Sequence, residues 1–192
     1  RNGIQVNFDD AFGKEVFETV KVIDFNQPTN NDFLAVQQLW IKGEICYRRP
    51  DVILYVNGLP LVFIELKNNN VSVKDAYTKN LATYKQELPQ LFWYNVVTIL
   101  SNGKETRAGS FTASWGHFAE WLRSSDEKER PDKKSIAKNG VSLKYTVNAL
   151  CEQSKLLDYI ESFIMYHNSA YKICAKNHQF IGVNKVIESF ES

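Results

Sequence analysis

The stretch that most constrains this chain is "RRPDVILYVNGLPLVFIELKNNN", Arg48 to Asn70. Two strongly apolar runs flank Asn57-Gly58, a dipeptide suited to tight turns because both residues tolerate positive φ. A buried β-hairpin is the expectation. Its edges are charged: Asp51 opens the first run, and Glu65 and Lys67 close the second. A buried ionised group is costly unless it is paired or has a job. Residues i and i+2 of a strand share a face. Glu65 and Lys67 are therefore neighbours, while Leu66 points the other way.

Register decides whether Asp51 joins them. A two-residue turn pairs Val56 with Leu59, hence Asp51 with Ile64, and Glu65 then faces away from Asp51. A shared face requires a loop with an odd number of residues, or a bulge. We predict a three-residue loop, Val56-Asn57-Gly58 with Gly58 left-handed, or an equivalent distortion. With the carboxylates together, the trio has the makings of a hard-cation site. Mg²⁺ takes one or two carboxylates plus water and phosphate oxygens, and the Leu66 backbone carbonyl is a possible third protein ligand. An ammonium beside the metal can orient the attacking water or stabilise transition-state charge. The chemistry this predicts is phosphodiester hydrolysis, with Asp51, Glu65 and Lys67 catalytic. An isolated Glu-x-Lys is more often an ordinary ion pair; the combination Pro-Asp, strand, turn, strand, Glu-x-Lys shifts the balance.

Elsewhere the chain reads as an α/β protein. "EVFETVKVIDF" is a strand, "NDFLAVQQLWI" fits either element, "VKDAYTKNLATYKQEL" is a helix stopped by Pro89, and "YNVVTILSNG" is a buried strand followed by a second Asn-Gly turn. "SWGHFAEWLR" reads as a short helix, and residues 124–140 as a polar loop or linker. Leu156, Leu157, Ile160, Phe163 and Ile164 have helical spacing. The order gives a core over 1–123, the linker 124–140, and a helical segment over 141–192.

Bulk properties exclude several classes. A net charge of +1 across 192 residues carries no global nucleic-acid signature. No apolar run reaches the roughly 18 residues of a membrane span, and "RNGIQVNFDD" does not read as a signal peptide. The three cysteines are scattered, which fits neither a disulfide framework nor a zinc site and points to a reducing cytoplasm. Arg48, Arg49, Lys74, Lys79, Lys85, Lys104 and Arg107 flank the trio in sequence and are candidate phosphate contacts, although each singly reads as a solvated surface residue. Trp93, Trp115 and Trp121 read as core or interface aromatics, and Glu15, Glu18 and Asp24 as surface or turn residues.

Pro50-Asp51 and Glu65-Leu66-Lys67 resemble the PD-(D/E)xK nuclease motif. The wider wording is more specific: "RPDVILYVNGLPLVFIELKN", "LPQLFWYNVVTILSNGKETRAGSFTASWGHFAEWL", "KLLDYIESFIMYH" and "HQFIGVNKVIES" resemble the N-terminal nuclease domain of the R subunit of type I restriction–modification enzymes. The resemblance implies a restriction-endonuclease-like mixed sheet flanked by helices. It also implies Mg²⁺-dependent, non-specific cleavage of double-stranded DNA, beside methyltransferase and specificity subunits. In that family the helix after the Glu-x-Lys strand carries a QxxxY motif; here the place reads Asn80 to Tyr84, with asparagine one methylene shorter than glutamine. Tyr84 reads equally as a tyrosine packed on the sheet. Gln179 in "HQF" matches the residue that reads adenine at the start of the motor region, so ATP belongs only to the full-length subunit. No GxxxxGK[ST] loop follows within the chain, and in the family more sequence precedes "NGIQV". Two other readings stand beside this one: a non-catalytic docking or DNA-clamping domain of a larger motor, and a stand-alone DNA-repair nuclease.

Overall fold

A computed structural model describes residues 3–168 and 171–191. The first elements are β1 (Ile4–Asp9) and β2 (Glu15–Val20), an antiparallel hairpin whose side chains are mostly exposed. The predicted long strand thus stops at Val20. β3 (Phe33–Gln37) resolves "NDFLAVQQLWI" as a strand, and β4 (Ile41–Lys42) and β5 (Tyr47–Arg48) form a minimal hairpin after it. β6 (Val52–Val56) and β7 (Leu59–Leu66) are the two apolar runs.

One helical stretch follows, termed α1: Val73–Asp75, a π-helical segment Ala76–Leu81, and Ala82–Glu87. The Ser72 hydroxyl caps its start by accepting from Lys74 N–H. β8 (Val97–Ser101) returns parallel to β7, and β9 (Thr106–Gly109) pairs antiparallel with β8. The central sheet has five strands in the order β3-β6-β7-β8-β9, with a mixture of parallel and antiparallel pairs. This is a restriction-endonuclease-like mixed sheet.

The expected helix in "SWGHFAEWLR" is only a 3-10 turn, Trp115–His117. The polar stretch 124–140 contains helix α2 (Lys133–Asn139), capped by Asp132 and closed by left-handed Gly140. α3 (Ser142–Leu150) and α4 (Gln153–Ser162) follow. The helical spacing through Phe163 and Ile164 misleads: α4 stops at Ser162, and β10 (Ile164–His167) pairs antiparallel with β11 (Tyr171–Cys174). The last element is α5 (Asn177–Glu191). No helix is long and apolar enough to cross a membrane among the described residues.

The two faces of β6–β7 build two cores. On one face Val56, Leu61, Val62 and Ile64 pack with Ile99 and Trp121, with Leu150, Leu156, Tyr159, Phe180 and Ile181 from α3–α5, and with Phe163 just after α4. On the other, Ile53 and Phe63 pack with Leu81, Tyr84, Leu88 and Phe92 from α1 and the turn after it.

The turn at Asn57-Gly58 is tight: Val56 pairs with Leu59, and Asn57 and Gly58 have φ of 50° and 79°. The predicted three-residue loop is therefore not used. The register shift predicted with it is present, farther along the strand. Tyr55 opposes Pro60 and Leu54 opposes Val62, so Leu61 is an extra, bulged residue. Pro60 supplies the local reason, since it has no N–H to give to the ladder. The Leu61 carbonyl is turned to β8, where it accepts from Val96 N–H (2.6 Å) and Asn95 Nδ2 (3.3 Å).

Asn57 also ties the hairpin to the preceding loop. Its Oδ1 accepts from Asp32 N–H (2.7 Å), and its Nδ2 donates to the Val22 carbonyl (2.7 Å) and Asn31 Oδ1 (2.9 Å). Asn57→Ala should cost roughly 2 kcal/mol, from lost hydrogen bonds and a Cβ residue without a local polar side chain at positive φ. Asn57→Gly should recover the backbone part only. Urea denaturation of the two variants separates these contributions.

Candidate active site

The bulge sets the site. With Val52 opposite Ile64, the register carried one step outward brings Asp51 to Glu65, on the face that also bears Ile53 and Phe63. The Asp51 side chain is held against the end of β7, where its Oδ2 accepts from Leu66 N–H at 2.8 Å. Leu66 thus meets Asp51 through its amide. Lys67 continues the strand edge by donating its N–H to the Ser101 carbonyl at 2.7 Å.

Glu65 is 3% exposed. Its Oε1 accepts from Lys67 Nζ at 3.1 Å. Its Oε2 is buried with no hydrogen-bond partner, an arrangement that costs free energy. Burial pushes the Glu65 carboxyl up to about 7, helped by repulsion from Asp51 and opposed chiefly by the Lys67 ammonium. The Asn80 amide, on the π-helical segment, exerts a smaller downward pull, yet leaves Oε2 unsatisfied. π-segments recur at functional sites because they re-aim side chains from a regular helix.

Tyr84 shares this wall. It is buried, stacks edge-on against Phe63 with centroids 5.4 Å apart, and donates its hydroxyl to the Arg49 carbonyl at 3.2 Å. Burial first, then the Glu65 and Asp51 charges, raise its hydroxyl to about 12. Both readings of Tyr84 meet here, since it packs on the sheet and touches the segment leading into Asp51.

The approach to Asp51 is braced by groups the sequence did not reveal. Arg48 on β5 donates Nη2 to Glu87 Oε1 at 2.7 Å and Nε to Glu87 Oε2. Gly43 packs so tightly that an added Cβ would lie 2.3 Å from the Glu87 carbonyl oxygen. Among the candidate phosphate contacts, Arg48 is therefore engaged with Glu87, Lys79 with Asp75 and Arg107 with Glu105. Trp121 is core, whereas Trp93 is exposed. Asp24 caps a local turn by accepting from Asn26 and Gln27 N–H. Gln179 stands apart from the cluster: its Oε1 accepts from Lys176 N–H at 2.8 Å in the first turn of α5.

A magnesium ion fits what is present. Asp51 is near enough for its charge to raise the Glu65 carboxyl, and one buried Glu65 oxygen lacks a partner. Among the described residues no cluster of three or more Asp, Glu, His or Cys is placed to hold a metal. Two carboxylates suffice for Mg²⁺, which keeps several waters, and do not make a zinc or calcium cage.

Fold and cluster together define a restriction-endonuclease-like domain with an acidic pair and a lysine on its central hairpin. The model of the type I restriction enzyme R protein N terminus matches residues 1–117, and the chain belongs to that family. It is 36% identical to the type I restriction enzyme HindI endonuclease subunit of Haemophilus influenzae, over 98% of this chain and 18% of the relative. It is 29% identical to the putative type I restriction enzyme MjaIXP endonuclease subunit of Methanocaldococcus jannaschii, over 97% of this chain and 19% of the relative. A Staphylococcus aureus subunit, SauCOLORF180P, is 32% identical over 50% of this chain and 12% of its own length. The chain thus spans less than a fifth of the curated relatives it matches.

Proposed function

We propose that this chain is the nuclease part of a type I restriction enzyme, hydrolysing phosphodiester bonds of double-stranded DNA at non-specific positions with Mg²⁺. The observation that carries the reading is the buried, unpartnered Oε2 of Glu65 on the face that meets Asp51. A structural ion pair needs Lys67 and one carboxylate oxygen; it does not need a second carboxylate raising the proton affinity of the first. Asp51 and Glu65 would hold the metal, with the Leu66 carbonyl as a further candidate. The bound ion would supply Lewis-acid charge and an acidified water. Lys67, 3.1 Å from Glu65 Oε1, is placed beside any group held there and would donate to the attacking water or to phosphate charge. Asn80 and Tyr84 would shape the wall that receives the DNA. ATP hydrolysis, translocation and assembly with methyltransferase and specificity subunits belong to the parent subunit in this reading, and Gln179 would serve its adenine site. Cytoplasmic residence follows from the DNA substrate.

The test is restriction of unmodified DNA by the parent subunit carrying Lys67→Ala. Loss of cleavage is expected. Restriction at the wild-type level would make the assignment wrong.

A further inference from the structure

The β4–β5 hairpin returns the chain to Asp51 and carries an aromatic–cation pair at its base. Ile41 pairs with Arg48, so the next residues outward are Trp40 and Arg49. The Arg49 guanidinium lies over the Trp40 ring, 5.3 Å from its centroid. Trp40 is nevertheless 63% exposed, and Arg49 is exposed as well. An exposed indole under a guanidinium presents an apolar face and a positive charge side by side.

The pair is held in place by the catalytic wall itself. Gln38, two residues before Trp40, has φ of 50° and donates its N–H to the Asp51 carbonyl at 2.9 Å. A glutamine in the left-handed region persists only where its surroundings over-determine it. On the other side, the Arg49 carbonyl is gripped by the Tyr84 hydroxyl at 3.2 Å, and Arg48 is fixed by Glu87. Charge narrows the partner. Arg48 is neutralised by Glu87 and Lys67 by Glu65, whereas Arg49 forms no ion pair among the described residues. A free guanidinium on an open indole, two residues from Asp51, is suited to a phosphate flanked by a sugar or base.

We infer that Trp40 and Arg49 are a DNA-gripping pair that positions the strand at the acidic site. Arg49 contacts a backbone phosphate next to the one cleaved, and Trp40 packs on the adjoining deoxyribose. Such contacts position DNA without reading sequence, as non-specific cleavage requires. The inference rests on the nuclease reading, and both residues act as positioning groups.

The experiment is equilibrium binding of a fluorescein-labelled mixed-sequence duplex to this chain, followed by anisotropy across a salt series. All proteins carry Glu65→Gln, so that cleavage does not intervene. Trp40→Ala should weaken binding about tenfold or more, and Trp40→Phe should recover most of it, because a smaller aromatic ring still packs its apolar face on the sugar. Arg49→Gln should flatten the dependence of log K on log salt by about one. Both side chains are exposed, so thermal melting should match the parent. Unchanged affinity in Trp40→Ala, or an unchanged salt slope in Arg49→Gln, overturns the inference. Cleavage by otherwise wild-type protein reads Glu65 separately. A binding loss in Trp40→Ala supports the gripping pair even if cleavage survives Glu65→Gln, and native binding overturns it even if cleavage is lost.

Discussion

If the proposed nuclease reading holds, Glu65→Gln in the parent subunit should lower DNA cleavage by about a thousandfold or more, while the ATP hydrolysis and translocation which that reading assigns to the parent are retained. The substitution keeps the shape of a side chain that is 3% exposed, so packing changes little. It removes the negative charge that a metal-bound water would depend on, a loss of the order seen when a preorganised electrostatic group is deleted. Cleavage and ATPase measured on the same preparation decide between readings. Joint loss of both would favour a structural role for the charged trio, and cleavage at the native rate would dispose of the catalytic one.

The second large effect is on stability, and its sign depends on pH. In metal-free protein the Glu65 pKa rises from 4.5 to about 7. A raised pKa means that the folded state binds the proton more tightly than the unfolded chain. The associated stability is fully present below 4.5 and is lost as pH climbs through 7. Relative to Glu65→Gln, metal-free wild type should therefore lose on the order of 3 kcal/mol between about pH 4 and pH 8. Mg²⁺ should restore much of this at pH 8, where the carboxylate is free to bind, and little at pH 5. Glu65→Gln should show neither the extra pH dependence nor the Mg²⁺ response. Chemical denaturation with EDTA or Mg²⁺ at both pH values measures all four quantities. Identical pH profiles for the two proteins would remove Glu65 as the strained group.

Much of the central hairpin was legible because turn chemistry, strand period and charge placement agree there. The demand for a register shift came from the alternation of side chains alone. Its location is also written in the sequence, in Pro60, whose missing N–H favours a bulge within a strand; Asn57-Gly58 is the stronger local turn signal and masks it. The π-helical segment under Asn80 was not legible, because the spacing from Asn80 to Tyr84 satisfies an ordinary helix equally well. The β10–β11 hairpin is hidden in the sequence because Ile160, Phe163 and Ile164 continue a helical rhythm by coincidence. Asn168, left-handed at φ 50°, was the local turn signal against it. The Arg48–Glu87 brace joins residues 39 apart in sequence, and nothing local in either announces the other.

The shared core behind β7 has a practical consequence for anyone dissecting the protein. Val62, Ile64 and Ile99 are covered by Leu156, Tyr159, Phe163 and Phe180, which lie beyond the polar stretch that invites a cut. A truncation at residue 123 would strip the back of the strand that carries Glu65 and leave a wide apolar face in solvent. Such a product should aggregate, and its inactivity would say nothing about catalysis. A fragment that keeps this core covered has to run past Ile181.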